Sequence, residues 1–189
     1  MLKGCGKIMD LFEAIEKRRS IRKFKPHPIP KEDLKKVLEA GRLAPSGGNR
    51  QPWQFIVVRN AGTKKALAAA ANNQMFIADA DTVIVALGDP KASPTKLPYT
   101  LSATRIPYKQ DPMIAVEHMV LAATALGYGS CWIGAFNEEE VKKILKVPND
   151  LAVIALLPVG VPDENPPPRP RKAFSEVFFK DSYGVPLEL

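Results

Sequence analysis

Two arginine clusters, near opposite ends of the chain, carry side chains well suited to binding a phosphate group. The first is the segment Arg18-Arg19-Ser20-Ile21-Arg22. Guanidinium groups bind phosphate through paired hydrogen bonds, whereas a lysine ammonium acts as a point charge. In an extended chain, side chains two positions apart point the same way, so Arg18, Ser20 and Arg22 can line one face. The alternative is a basic helix end that stays solvated.

The second arginine cluster lies in the proline-rich segment Asn165-Pro166-Pro167-Pro168-Arg169-Pro170-Arg171. Proline fixes its own φ angle, so the segment is stiff and holds Arg169 and Arg171 in an extended arrangement. It can therefore supply a second, rigid clamp for phosphate. The alternatives are a solvated tail and a proline-rich peptide that docks on an adaptor domain.

A loop of small and polar residues, Pro45-Ser46-Gly47-Gly48-Asn49-Arg50-Gln51, precedes an apolar strand. Its glycines allow the backbone to approach a ligand closely. The hydroxyl and amide groups of Ser46, Asn49 and Gln51 can pair with the polar edge of a heterocycle. The loop lacks the Gly-Lys-Ser/Thr ending of a P-loop. The alternative is an ordinary loop built from Asx turns.

The composition is that of one soluble domain and excludes several other classes. The 189 residues are 46% hydrophobic and 25% charged, which is ordinary for a globular protein. No apolar run reaches the roughly 18–20 residues of a membrane helix, and residues 1–9 lack the apolar stretch of a secretory signal. Two cysteines, Cys5 and Cys131, and two histidines supply neither a disulfide framework nor a metal site. We therefore expect a reducing, cytoplasmic location.

The net charge of +7 does not by itself indicate a nucleic acid partner. The lysines are mostly interspersed with acidic residues, as in Glu138-Glu139-Glu140-Val141-Lys142-Lys143, which is typical of solvated helix faces. No basic stripe with interleaved aromatic residues accompanies the charge, so nucleic acid binding is not expected.

The elements that must position these residues alternate between helix and strand. Apolar periodicity and capping residues predict helices over residues 10–19, 31–43, 62–71, 111–126 and 138–145. Apolar runs predict buried strands over residues 53–58, 82–87, 130–133 and 152–159, and residues 20–24 are expected to be extended. This order favours an α+β or α/β class. We expect one domain over residues 10–189, after a flexible tail over residues 1–9.

Two segments have features that a plain globular domain does not need. Residues 88–111 have no clear period and carry four prolines, so they form either a solvated excursion or a lid over a ligand site. The helix that is expected to start at Asp111 and Pro112 is apolar on nearly every side up to Leu126. Such a helix lies at the centre of a domain or at a subunit contact.

Four motifs, in chain order, resemble those of the nitroreductase family. They are the segment Arg18–Phe24, the residues Pro45-Ser46, Asn49 and Gln51-Pro52-Trp53, the segment Ala122–Gly134, and the segment Gly160–Arg171. Each is weak alone, but four in order across residues 10–176 make the resemblance specific. It implies an α+β homodimer with a mostly antiparallel central sheet flanked by helices. An extended C-terminal tail is expected to embrace the partner subunit.

The resemblance also implies an FMN site in the subunit interface. The cofactor-binding residues that it implies are Arg18, Arg19, Ser20, Arg22, Pro45, Ser46, Asn49, Gln51, Ile133, Gly134, Arg169 and Arg171. Those of the two arginine clusters are expected to hold the phosphate and ribityl end, with Arg22 reaching the pyrimidine edge of the ring. The loop over residues 45–51 is expected to come from the partner subunit, and the backbone of Ile133 and Gly134 to pass near the flavin N5 position.

The function implied by the resemblance is transfer of hydride from NADH or NADPH, through FMN, to small acceptors such as nitroaromatics or quinones. The flavin carries this chemistry, so no catalytic side chain is nominated. The alternatives are other flavin chemistry (ene reduction, reductive dehalogenation or flavin fragmentation) and a non-catalytic flavin carrier. No Rossmann fingerprint is present to distinguish NADH from NADPH.

Two departures from the family pattern limit what can be transferred from it. The chain is short for the family, and no acidic side chain follows Trp132 near the expected flavin edge. The physiological acceptor therefore cannot be copied from larger relatives. The segment Asn72-Asn73-Gln74, which could reach the polar edge of the ring, matches a family motif only loosely.

Overall fold

The structure is a computed structural model that describes residues 8–92 and 106–189. Most of the tail expected over residues 1–9 lies outside the described residues. The same is true of residues 93–105, which form the centre of the segment that is expected to be an excursion or a lid.

Helices and short strands alternate along the described chain. The helices are α1 (Leu11–Lys17), α2 (Lys31–Arg42), α3 (Ala61–Ala70), α4 (Phe76–Asp79), α5 (Pro107–Ala125) and α6 (Glu138–Leu145). The strands are β1 (Phe24–Lys25), β2 (Trp53–Val58), β3 (Thr82–Gly88), β4 (Gly129–Ser130) and β5 (Ala152–Pro162). Short 3-10 turns lie at Gly47–Asn49 and Phe174–Glu176.

The strands form an antiparallel sheet in the order β1-β5-β3-β2, and β4 also pairs with β5. Because side chains alternate across a strand, the fully buried β3 serves both faces of this sheet. Val83, Val85 and Leu87 join the core beneath α3, α4 and α6. Ile84 and Ala86 join the core beneath α2 and α5. The predicted α+β class, an antiparallel sheet flanked by helices, is confirmed.

The first helix begins as predicted. The pair Asp10 and Glu13 has the types and spacing of a reciprocal cap, but only one of its two hydrogen bonds is made. The Asp10 carboxylate accepts a hydrogen bond from the Glu13 backbone N–H at 2.9 Å, which satisfies one unpaired donor of the first turn. The Glu13 carboxylate instead accepts from the Lys17 ammonium at 2.6 Å, one turn later. The helix ends at Lys17, two residues before its predicted end, and Arg18 is extended.

Three predicted boundaries differ from the observed ones by three residues or more. The strand expected over residues 130–133 is the two-residue β4 followed by one bridge between Ile133 and Leu156. Strand β5 continues three residues past its predicted end at Val159, because it pairs with β1 as well as β3. Helix α5 begins at Pro107 rather than at Asp111, because Pro107 can fill a first-turn position without needing an N–H.

Helix α5 contains Pro112, and this proline coincides with a close approach to the sheet. Pro112 has no N–H to donate to the Tyr108 carbonyl four residues earlier. That carbonyl lies against Gly88 at the end of β3, where an added Cβ would be 1.9 Å from the oxygen. Gly88 therefore lets the first turns of α5 pack directly on the sheet.

Replacing Gly88 by alanine is expected to destabilise the protein, since the added methyl group would collide with the Tyr108 backbone. Overpacking of this kind costs about 1–3 kcal/mol, which lowers the urea concentration at half-unfolding. The matched control is Gly62→Ala in α3, where the nearest atom is the side-chain oxygen of Asn60 at 3.3 Å. Equal unfolding midpoints for the two variants, at one protein and cofactor concentration, would contradict this close approach.

Candidate functional site

The first arginine cluster occupies the chain between the end of α1 and β1. Arg18 is the C-cap of α1, and its backbone N–H donates to the Ala14 carbonyl at 3.0 Å. The chain then turns extended, and the Ile21 N–H donates to the Ser130 carbonyl at 2.9 Å. Arg18, Ser20 and Arg22 line one pocket, and Arg19 between them lines it as well.

The second arginine cluster is held opposite the first by β5. Strand β1 pairs with the end of β5, and the Asp163 N–H then donates to the Lys23 carbonyl at 2.9 Å. The Glu164 carboxylate accepts a hydrogen bond from the Arg22 backbone N–H. These bonds fix the start of the proline-rich tail against the chain that follows α1.

A pocket of about 470 Å³ lies between the two clusters. Its walls are Ile15, Glu16, Arg18, Arg19, Ser20, Arg22, Pro166, Pro167, Pro168, Arg169 and Arg171. The volume is within the range of roughly 300–1,000 Å³ that is usual for small-ligand sites. This lining contains five arginines, one serine hydroxyl and a single glutamate. The chemistry of the pocket is therefore that of a site for a phosphorylated ligand.

Two arginines of the pocket, Arg19 and Arg171, donate hydrogen bonds to nearby backbone carbonyls. One Arg19 guanidinium nitrogen donates to the carbonyls of Glu16 and Arg18, at 2.6 and 2.8 Å. These carbonyls lie at the end of α1, so Arg19 satisfies acceptors that the helix leaves unpaired. Arg171 donates to the Arg169 and Pro170 carbonyls at 3.3 Å, which supports the extended shape of the tail.

Two ionisable groups lie close to the first cluster. Glu117 on α5 is exposed at the surface of the single chain, yet desolvation by its neighbours raises the pKa of its carboxyl, and the nearby Arg18 charge opposes that rise. Burial also raises the pKa of the Cys131 thiol, against the opposing effects of the Arg22 charge and a hydrogen bond with Ser20. Cys131 is a buried free thiol, and thiolate chemistry is not expected of it.

The loop over residues 45–51 does not line the arginine pocket. Its conformation is set by its own polar groups: the Ser46 hydroxyl accepts from the Gln51 N–H at 2.8 Å. The Gln51 amide donates to the Asn49 backbone and side-chain oxygens at 3.2 and 3.3 Å. Pro45 and Asn49 are exposed, and Ser46 is half-buried. Within one chain, therefore, the loop and the arginine clusters form separate parts of the predicted site.

The segment Ile133–Gly134 is likewise outside the pocket lining. The Ile133 N–H donates to the Leu156 carbonyl at 3.0 Å, so its backbone is committed to the sheet. Gly134 is exposed, and an added Cβ there would meet nothing within 4 Å. The side-chain amides of Asn72 and Gln74 donate to the Ala135 carbonyl at 3.4 and 3.3 Å. This contact, which the sequence did not indicate, holds the backbone next to Gly134.

Other kinds of site find no support in residues 8–92 and 106–189. This part of the chain holds no group of three or more His, Cys, Asp or Glu side chains arranged to bind a metal ion. It also has no helix with the length and apolarity needed to cross a bilayer.

Comparison with known proteins identifies the family. The profile of the Nitroreductase family matches residues 15–106 and 109–161. An NADH dehydrogenase of Thermus thermophilus is 31% identical over 195 residues, covering 90% of this chain and 95% of its own. An iodotyrosine deiodinase of Thermotoga neapolitana is 29% identical over 173 residues, covering 85% and 93%.

A solved structure agrees in fold over nearly the whole chain. The NADPH:FMN oxidoreductase of Vibrio harveyi, complexed with NAD⁺, superposes with a TM-score of 0.81 at 28% identity. The match covers 95% of this chain and 79% of that one. The predicted family resemblance is thus confirmed by profile, sequence and fold together. The chain belongs to the nitroreductase family and is an oxidoreductase.

Proposed function

We propose that the arginine pocket holds the phosphate of FMN, and that the enzyme passes hydride from NADH or NADPH to small acceptors such as nitroaromatics or quinones. The observation that carries this proposal is the meeting of the two arginine clusters in one pocket. A phosphate monoester carries about −1.5 to −2 charges at neutral pH, and several convergent guanidinium groups match that charge. The Vibrio harveyi relative, named for FMN, supports the choice of cofactor.

The protein's part in this chemistry is binding and orientation. Bound FMN supplies the hydride transfer itself. Arg18, Ser20 and Arg169 are assigned to the phosphate and ribityl end, and Arg22 to the ring. Arg19 and Arg171 are assigned mainly to holding the pocket walls, since both donate to backbone carbonyls there. No side chain is assigned to acid–base catalysis.

Apart from Arg22, the residues assigned to the ring end of the site lie outside the pocket lining. Gly134, rather than Ile133, is the residue whose backbone we assign to the flavin edge, because the Ile133 amide already donates to Leu156. The exposed amide and hydroxyl groups of the 45–51 loop are assigned to the cofactor bound by the partner subunit. Such an arrangement unites the separated parts of the predicted site.

A homodimer with flavin sites between its subunits is the assembly that we propose. Helix α1 exposes Leu11, Phe12 and Ile15, with Phe12 81% exposed. Helix α5, which packs against α1, exposes Met113 and Ile114 in its first half. Exposed apolar side chains of this size are common at subunit interfaces. The tail after Asp163 also exposes aromatic side chains, among them Phe174 and Tyr183, which supports its proposed packing along the partner.

Reductive dehalogenation is the second candidate, because one relative is named as an iodotyrosine deiodinase. The two candidates differ in acceptor and share the cofactor site. Steady-state turnover with a nitroaromatic, a quinone and an iodinated phenol, each with NADH and NADPH, distinguishes them. The cytoplasm is the proposed location, since the buried Cys131 is a free thiol. No nucleic acid partner is proposed.

The purified protein is expected to contain FMN rather than FAD, because the pocket offers arginines to one terminal phosphate. Denaturing the protein, separating the released flavin by chromatography and comparing it with both standards checks this. The reconstituted protein should then oxidise NADH or NADPH in the presence of a nitroaromatic or a quinone. Recovery of FAD, or of no flavin after incubation with FMN, would exclude the proposed cofactor.

Arg18→Ala and Arg169→Ala are each expected to weaken FMN binding by about 10- to 150-fold, since each removes a charge-assisted contact of roughly 1.5–3 kcal/mol. Quenching of flavin fluorescence during titration of FMN-free protein measures the affinity. The control is Arg42→Ala, whose guanidinium pairs with Glu39 on the exposed side of α2 at 2.6 Å. Wild-type affinity in all three variants would mean that both arginines are merely solvated.

A further inference from the structure

Asp111 is a buried carboxylate that no part of the proposed chemistry uses. It lies in the first turns of α5, and 2% of its surface is exposed. Burying a carboxylate is costly unless hydrogen bonds compensate it. The Asp111 side chain accepts a hydrogen bond from the Gly47 backbone N–H at 3.0 Å, which joins α5 to the 45–51 loop.

The loop has a backbone shape that its surroundings must maintain. Gly48, Asn49 and Gln51 have φ angles of 61°, 54° and 50°, in the left-handed region. Non-glycine residues adopt this region uncommonly, and such a conformation persists only where neighbouring contacts hold it. The hydrogen bonds of Gln51 act within the loop. The Gly47 bond differs from them because it ties the loop to a helix in the core.

We propose that Asp111 is a positioning residue, which keeps the 45–51 loop in the shape required by the FMN of the partner subunit. This inference rests on the proposed interface site. Asp111 does not line the arginine pocket of its own subunit, so it acts on the cofactor through the loop. If the loop adopted its binding shape only part of the time, the affinity for FMN would fall to that fraction of its intrinsic value.

The first test replaces Asp111 by alanine and by asparagine. Alanine removes the acceptor, and a loss of FMN affinity of roughly tenfold or more is expected, as for other hydrogen bonds to charged groups. Asparagine keeps an oxygen acceptor and should bind FMN within about threefold of wild type. Hydrogen exchange of the FMN-free Ala variant should accelerate at residues 46–51 and stay unchanged in β3 and β5. Equal affinity of wild type and both variants would overturn the proposal.

The second test uses mixed dimers, in which an Asp111→Ala subunit is paired with an Arg18→Ala subunit. One site then combines both defects, whereas the other combines intact arginines with an intact loop. Half of the sites should bind FMN with wild-type affinity, as measured by titration of the purified hybrid. If Asp111→Ala instead disrupted its whole subunit, the intact site would lose affinity as well, because the arginines of that site belong to the Asp111→Ala subunit.

A reference hybrid separates this inference from the proposed function. It pairs an Asn49→Ala subunit with an Arg18→Ala subunit and tests only whether the loop serves the partner. If the reference recovers half of the sites and the Asp111→Ala hybrid recovers none, Asp111 acts elsewhere and the inference is wrong. If neither recovers, the interface site itself is wrong.

Wild-type protein provides a test that does not depend on whether a variant folds. The Gly47 amide donates to a buried carboxylate at 3.0 Å, so its hydrogen exchange in FMN-free dimer should be slow compared with that of Arg50, an exposed residue whose amide makes a longer bond, 3.4 Å, to the Gly47 carbonyl. Exchange of Gly47 as fast as that of Arg50 would overturn the proposal.

Discussion

The pairing of β1 with the end of β5 is the contact on which the candidate site depends. Two residues, Phe24 and Lys25, lie opposite Pro162 and Val161, and this register brings together arginines about 150 positions apart in the chain. Gly160 permits the contact, because an added Cβ there would lie 2.8 Å from the Phe24 ring. A shift by one residue would turn each side chain to the opposite face of the sheet. The short β1 therefore fixes the geometry of both pocket walls.

This arrangement prepares the pocket for an anion before any ligand binds. Bringing several guanidinium groups together is unfavourable in itself. The sheet and the Glu164 carboxylate hold the backbone of Arg22, and the carbonyls at the end of α1 hold the Arg19 guanidinium. In the proposed site, a ligand phosphate would meet arginines whose backbone positions have been set during folding. Helix α5 contributes a carboxylate to each part of the proposed site. Glu117 lies near Arg18, and Asp111 accepts a hydrogen bond from the Gly47 N–H in the 45–51 loop.

Much of the fold could be predicted from the sequence, because its signals are local. The apolar runs of β3 and β5 and the capping side chain Asp10 mark their elements directly. Tertiary contacts decided the rest. The sequence predicts that a helix begins at Asp111. Helix α5 instead begins four residues earlier, and Asp111 is buried within it. Arg19 resembles its neighbours in type, but only the structure shows its guanidinium on the end of α1.

The central claim is that arginines from both ends of the chain bind one phosphate group, and the discrimination between FMN and riboflavin tests it most directly. Riboflavin lacks the phosphate and keeps the ring. Wild-type protein should bind FMN at least about 100-fold more tightly than riboflavin. Arg18→Ala and Arg169→Ala should each reduce that ratio by about tenfold or more, while riboflavin affinity stays nearly constant. Equal binding of the two flavins by wild type, or an unchanged ratio in both variants, would contradict the account.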